Sequence, residues 1–213
     1  MGQLAAPFKE LKDSAFIVSM FDGISCNPLT GDAGVFSLIK AVGIGALMTV
    51  IVQSSSASIG LLLALASVGL IDPYTGFAIL LGDNIGTTIT AILASIGTSK
   101  TAKRAACAHC LFNLIGSGLM IGLFFINWPG KEHHPIFLEL VSRLTGGDNL
   151  AGDNVPRFLA NCHTFFNVGC TLVFIGFVPV FARVCRTLIP GEEAASGERR
   201  KTLLEPHLVS TPS

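Results

Sequence analysis

The chain has 213 residues, half of them hydrophobic and 13% charged, with a formal net charge of zero and a mean hydropathy of +0.64. Its charge content is about half the soluble-protein norm of ~25%, which excludes an ordinary water-soluble domain in favour of a polytopic membrane protein. With no net positive charge and no basic run beyond Arg199-Arg200-Lys201, nothing points to nucleic acid as a partner.

Residues 1–11 lack the charged head, apolar centre and small-residue cleavage site of a secretory signal. Residues 4–27 carry Leu4, Phe8, Leu11, Ala15, Val18 and Phe21 near helical spacing with charges between them. That pattern predicts an interfacial helix, and with the turn at Asn27-Pro28 and Gly31-Asp32 it makes an N-terminal unit of residues 1–33.

Residues 41–71 contain no Asp, Glu, Lys or Arg, yet Gln53-Ser54-Ser55-Ser56 interrupts their middle, and Gly43 and Gly45 loosen the limb before it. Each limb is roughly 12 to 15 residues, about 20 Å long at ~1.5 Å per residue, short of the ~30 Å hydrocarbon core. Two readings fit: one long tilted helix with a polar patch, or a re-entrant helical hairpin over residues 34–71 with its tip near mid-membrane. Non-helical backbone at that depth is tolerated only where it is buried in protein or lines a wet cavity. Four adjacent donor/acceptors suit such a cavity: their oxygens fit a hard cation, and the start of the returning limb fits an anion. The plainer use of Ser and Gln in a membrane is to join helices.

A second interrupted segment covers residues 74–97. Gly82 and Gly86 flank Asp83, an acidic residue in mid-span, with Asn84, Thr87 and Thr88 as neutral oxygen donors beside it. An acidic group at membrane depth is a functional-site candidate by default. Half-helix ends aimed at mid-membrane are how secondary transporters build ion and substrate sites, so a discontinuous helix is expected here. Asp83 would also serve as the N-cap of the second half, accepting backbone N–H bonds near Gly86.

Lys100, Lys103 and Arg104 form the densest positive cluster between two spans and place that loop in the cytoplasm. Spans over residues 105–128 and 158–182 follow, with Trp128 at the far interface, an outer loop over 131–157, and Arg183 and Arg186 back in the cytoplasm. Residues 190–213 read as a cytoplasmic tail or linker. The sequence H-x-x-F-N occurs twice, at His109–Asn113 and at His163–Asn167, each followed by a glycine, Gly116 and Gly169. His and Asn at i and i+4 share a helix face, where they either join helices, the commoner use, or line a site. The six cysteines are scattered, mostly in apolar segments. Cys107-Ala108-His109-Cys110 lacks the second ligand pair and the polar surroundings of a zinc site, so no transition metal is expected. No nucleophile–base constellation is visible, so the chain is not read as an enzyme.

Q-S-S-S at residues 53–56, G-x-N-I-G-T-T at 82–88 and the two H-x-x-F-N segments together resemble the type II sodium-dependent phosphate cotransporters, particularly their bacterial branch. The resemblance covers roughly residues 30–185. It implies an all-α membrane protein built from inverted repeats, of which this chain carries one: a hairpin, a discontinuous helix and two further spans within residues 34–189. It implies Na⁺-coupled symport of phosphate across the cell membrane, with Na⁺ as coupling ion and no other cofactor. Gln53, Ser54, Ser55 and Ser56 would line the phosphate and sodium site; Asn84, Thr87 and Thr88 would contribute cation ligands. Asp83 stands where many relatives carry a small neutral residue, and its charge would favour Na⁺ and oppose phosphate unless the cation screens it. The missing first repeat, or a second copy in a homodimer, would complete the site, and a PhoU-like domain follows the corresponding linker in bacterial relatives. The alternative is a non-transporting membrane subunit for assembly or phosphate sensing.

Overall fold

The computed structural model describes residues 23–30, 34–146 and 154–191, with Ser19 and Phe21. Among them the regular elements are α1 (Val35–Val52), α2 (Ser55–Ser67), α3 (Pro73–Ser95), α4 (Lys100–Phe124), α5 (Ile136–Leu144), α6 (Val155–Phe174), a 3-10 turn (Ile175–Phe177) and α7 (Val178–Leu188). A single β-bridge, Asn127 to Pro135, closes the turn between α4 and α5. Four stretches, α1, α3, α4 and the run from α6 through α7, are long and apolar enough to cross a bilayer. The protein is therefore an all-α, multi-pass membrane protein. Most of the expected interfacial helix at residues 4–27, and the tail beyond residue 191, lie outside the described residues.

Residues 41–71 form a hairpin rather than one rod. Gln53 takes the left-handed conformation (φ 56°) that ends α1, and Ser54 begins α2 by accepting a hydrogen bond from the Ala57 N–H. The limbs are unequal. α1 starts upstream of Lys40 and has 18 residues, about 27 Å, longer than expected, whereas α2 has 13, about 20 Å. Gly43 and Gly45 do not interrupt α1.

The expected discontinuity at Gly82 and Asp83 is absent: α3 runs unbroken from Pro73 to Ser95, and Asp83 lies inside it rather than at a cap. Its start is fixed by Asp72, whose carboxylate accepts from the Tyr74 and Thr75 N–H groups, and by Pro73 in the first turn. The glycines serve packing instead. A Cβ at Gly82 would lie 1.9 Å from the Val42 carbonyl oxygen, one at Gly86 would lie 2.6 Å from that of Ala46, and one at Gly45 would lie 1.8 Å from that of Ile79. Gly82-x-x-x-Gly86 is thus a small-residue face that lets two membrane helices touch backbone to backbone. The matched positions rise together along both chains, so α1 and α3 run parallel.

That contact makes α3 the central helix: 56% of its membrane window is buried, against 28% or less in the other three stretches. It packs against α1, α2, α4 and α6. A helix enclosed in this way can hold a carboxylate at depth without presenting it to lipid. Asp83 lies ten residues beyond Pro73, about 15 Å along a 23-residue helix. Because Thr49 meets Asp83, the hairpin tip lies only one turn deeper, and α3 continues for about 12 Å past it.

The two ends of the bundle differ. At one, Arg104 donates to the carbonyls of Ile189 and Gly191, joining the start of α4 to the end of α7, so the Lys100–Arg104 and Arg183–Arg186 clusters share that end. At the other, α5 forms a cap that was not expected within the loop 131–157. Phe137 stacks on Phe77 of α3 at 5.2 Å, and Arg143 lies 4.5 Å over the Trp128 ring. Glu139 is buried beneath, accepting from Lys131 at 2.7 Å and Arg143 at 2.9 Å. Burial by itself would raise the Glu139 carboxyl, but those two hydrogen bonds and their charges outweigh it and hold the group below its ordinary value.

Candidate functional site

The site is built outward from Asp83. Thr49 is the only hydroxyl or amide residue of α1 between Lys40 and Gln53, and its Oγ1 lies 2.5 Å from Asp83 Oδ1, 3.2 Å from Ser58 Oγ and 3.1 Å from the Gly45 carbonyl oxygen. A hydroxyl carries one proton. Donated along the shortest contact, to the carboxylate, it leaves Ser58 to donate to Thr49. The other carboxylate oxygen, Oδ2, is buried and has no hydrogen-bond partner among the described residues, in a residue only 2% exposed. A buried charged oxygen without a partner is strongly unfavourable, so Oδ2 marks a place where a cation, a proton or water completes the structure.

Beside it is a cavity of about 240 Å³, far above the ~10–15 Å³ that one water needs. Asp83, Asn84 and Thr87 of α3 form one wall, Ser55 of α2 a second, His109, Phe112 and Asn113 of α4 a third, and His163 and Asn167 of α6 the fourth. Three asparagines on three helices are held in the same way. Asn84 donates Nδ2–H to the Leu80 carbonyl at 3.1 Å, Asn113 to that of His109 at 3.1 Å, and Asn167 to that of His163 at 2.9 Å. Each amide is thereby fixed through its nitrogen, and its oxygen remains to meet a solute. Thr87 is anchored likewise, donating to the Asp83 carbonyl at 2.9 Å. One carboxylate oxygen, three amide oxygens and two hydroxyls suit a hard cation; two imidazoles and the start of α2 suit an anion.

The structure therefore gathers eight of the twelve expected residues at one cavity. The H-x-x-F-N pairs, whose commoner use is to join helices, both face it. Gly116, one turn past Asn113, permits the approach: a Cβ there would lie 2.9 Å from Cys170 Sγ and 3.2 Å from the Phe166 ring. Gly169 has no neighbour that close. Thr88 is buried but donates to the Ile85 carbonyl at 2.7 Å and does not line the cavity. Of the Q-S-S-S tip only Ser55 reaches it. Gln53 turns its amide back to the Val50 carbonyl, Ser54 caps α2, and these two with Ser56 are exposed on the outer side of the tip. Thr49 and Ser58 were not expected at the site; a lone threonine in an apolar span was the one available signal.

A family model described as Na⁺/Pi-cotransporter matches residues 34–140, from α1 into the middle of α5. The chain belongs to the Na⁺/Pi-cotransporter family. The matched stretch holds the hairpin tip, Asp83 and the first H-x-x-F-N arm; the second arm, His163–Asn167, lies beyond it. Among relatives, an uncharacterized Bacillus subtilis protein, YqeW, is 30% identical over 153 residues, covering 72% of this chain and 44% of YqeW. Escherichia coli YjbB, provisionally named an inorganic phosphate export protein, is 28% identical over 185 residues, 87% of this chain and 30% of YjbB. The human sodium-dependent phosphate transport protein 2B is 40% identical over 93 residues, 42% of this chain and 14% of that protein. This family member thus spans less than half the length of these relatives. No solved structure matches it.

Proposed function

We propose that the chain forms one half of a transporter that moves inorganic phosphate across the cell membrane, coupled to Na⁺, with its basic end and C-terminal tail in the cytoplasm. The observation that carries this reading is the cavity where Asp83, whose Oδ2 has no partner among the described residues, meets three anchored amides and two histidines. Family membership and the names of YjbB and of the human protein 2B support phosphate as the solute. Na⁺ is held by Asp83 with the oxygens of Asn84 and Thr87. Phosphate is held by the Ser55 hydroxyl, the first N–H groups of α2 and the imidazole N–H groups of His109 and His163. The exposed Gln53, Ser54 and Ser56 meet the tip of another repeat or of a second copy, and a PhoU-like domain is a partner for the tail.

Coupling follows from charge. Two like unit charges 4 Å apart at an effective dielectric of ~20 repel by about 4 kcal/mol, roughly a thousandfold in affinity. Phosphate therefore does not enter beside an ionised Asp83 until a cation neutralises it, and the cation in turn gains from the anion. The test is phosphate flux in proteoliposomes holding the complete assembly, measured inward and outward because YjbB is named for export. Flux that requires a Na⁺ gradient, and that Ser55→Ala abolishes while insertion is unchanged, supports the proposal. Flux indifferent to Na⁺ or to Ser55→Ala removes it, and no flux at all in an assembled, folded protein favours a non-transporting subunit.

A further inference from the structure

A second and larger hollow adjoins the candidate site at Phe112, the one lining residue the two share. α6 ends at Phe174, the 3-10 turn Ile175–Phe177 and Pro179 redirect the chain, and α7 leaves a cleft of about 560 Å³ between itself and α4. Its inner wall is aromatic: Phe112 meets Phe174 edge to face at 5.3 Å, and Phe174 meets Phe181 at 5.5 Å. Among the described residues its only charged lining groups are Arg104 and Arg186, both at the end where α4 begins and α7 finishes. From Arg104 to Phe112 the cleft runs about 12 Å along α4.

We propose that this cleft binds an anionic phospholipid, with an acyl chain along Phe112, Phe174 and Phe181 and the headgroup phosphate at Arg104 and Arg186. Lipid is the solvent around membrane-spanning helices, and an acyl chain asks no hydrogen bonds of walls that offer almost none. A phosphate headgroup meets two cations and no carboxylate among the lining residues. The Arg104 guanidinium is already fixed at the mouth by its bonds to Ile189 and Gly191 through Nε and Nη2, which leaves Nη1 for a ligand. Arg186 has no hydrogen-bond partner among the described residues and is exposed. Basic pockets between membrane helices are recognised sites for anionic headgroups, each cation contributing about fivefold in affinity near the surface. The proposal rests on membrane insertion and on this cleft, and it is independent of what is transported.

The experiment uses the whole chain in nanodiscs, with Trp128→Phe and Phe181→Trp to place one fluorophore in the cleft. Brominated phosphatidylglycerol is expected to quench it at several-fold lower mole fraction than brominated phosphatidylcholine, and Arg186→Gln should reduce that preference by about fivefold. Equal quenching by both lipids, or quenching by neither because a protein segment or a second copy fills the cleft, overturns the proposal. Should Phe181→Trp disturb folding, native mass spectrometry of the unaltered chain decides the matter. Retained phosphatidylglycerol that is lost in Arg186→Gln supports the site, and retention equal in both proteins rejects it.

Discussion

Replacing Gly82 with alanine should separate the two helices that hold Asp83 in place. The added Cβ would lie 1.9 Å from the Val42 carbonyl oxygen and 2.8 Å from the Ala46 nitrogen, both backbone atoms that cannot rotate away. Ordinary contact begins near 3.4 Å, so α1 and α3 must part by roughly 1.5 Å. The Thr49–Asp83 bond, now 2.5 Å, would open to about 4 Å and fail. Overpacking costs ~1–3 kcal/mol and a lost hydrogen bond to a charged group ~1.5–3 kcal/mol, so a loss of about 3 kcal/mol or more is expected. Gly60→Ala is the control, because nothing lies within 4 Å of a Cβ there; it should leave stability unchanged or better by up to ~1 kcal/mol. Unfolding titrated with sodium dodecyl sulfate in mixed micelles, followed by Trp128 fluorescence, compares the two. Gly82→Ala as stable as Gly60→Ala would refute the packing role of Gly82-x-x-x-Gly86.

Asp83→Asn keeps the shape of the site and removes its charge. Na⁺ affinity in the absence of phosphate should fall at least about thirtyfold, roughly 2 kcal/mol, as read by equilibrium binding of labelled Na⁺, and phosphate binding should lose its dependence on Na⁺; a change in Na⁺ affinity under threefold would detach Asp83 from the cation. At the α5 cap, the lowered Glu139 carboxyl adds stability that is fully present above its unfolded-state value of ~4.3 and is lost as pH falls through its lower folded value. Thermal melts between pH 6 and pH 3 should show that loss, and Glu139→Gln should flatten it in that window. Cys26, pushed up to about 12 by burial first and then by the Asp72 charge, against a hydrogen bond from Thr75 that lowers it, should resist maleimide at pH 8 until the protein is denatured. Fast labelling of Cys26 itself in the native chain, read by peptide mass spectrometry because Cys107 and Cys110 are only half-buried, would contradict its burial.

The hairpin was legible because Gln53-Ser54-Ser55-Ser56 interrupts an uncharged stretch where no single polar group is expected. Asp83 was legible for the same reason, as a charge at membrane depth. The continuity of α3 was not, because a glycine lowers helix propensity and also admits a neighbouring backbone, and one strand of sequence does not say which use applies. Only the matching small face on α1, around Gly45 and Ala46, resolves it. Thr49 was passed over because a threonine in an apolar helix can satisfy itself on the carbonyl one turn back, and the Gly45 carbonyl does lie within reach at 3.1 Å. The spacing of His109 with Asn113 and of His163 with Asn167 fixed a face on each helix. That the two faces converge on Asp83 is a tertiary fact with no local signal. α5 was hidden in a mixed-charge loop, although Phe137, Leu138 and Val141, all buried, carry a helical pattern across it.

The most direct measurement is an experimental structure of the complete assembly determined with Na⁺ and phosphate present. The expected result is density for an ion against Asp83 Oδ2, Asn84 and Thr87, and for a tetrahedral anion between Ser55, His109 and His163. Density for the solute elsewhere, or a cavity closed by its own side chains with Asp83 Oδ2 hydrogen-bonded to protein, would contradict it.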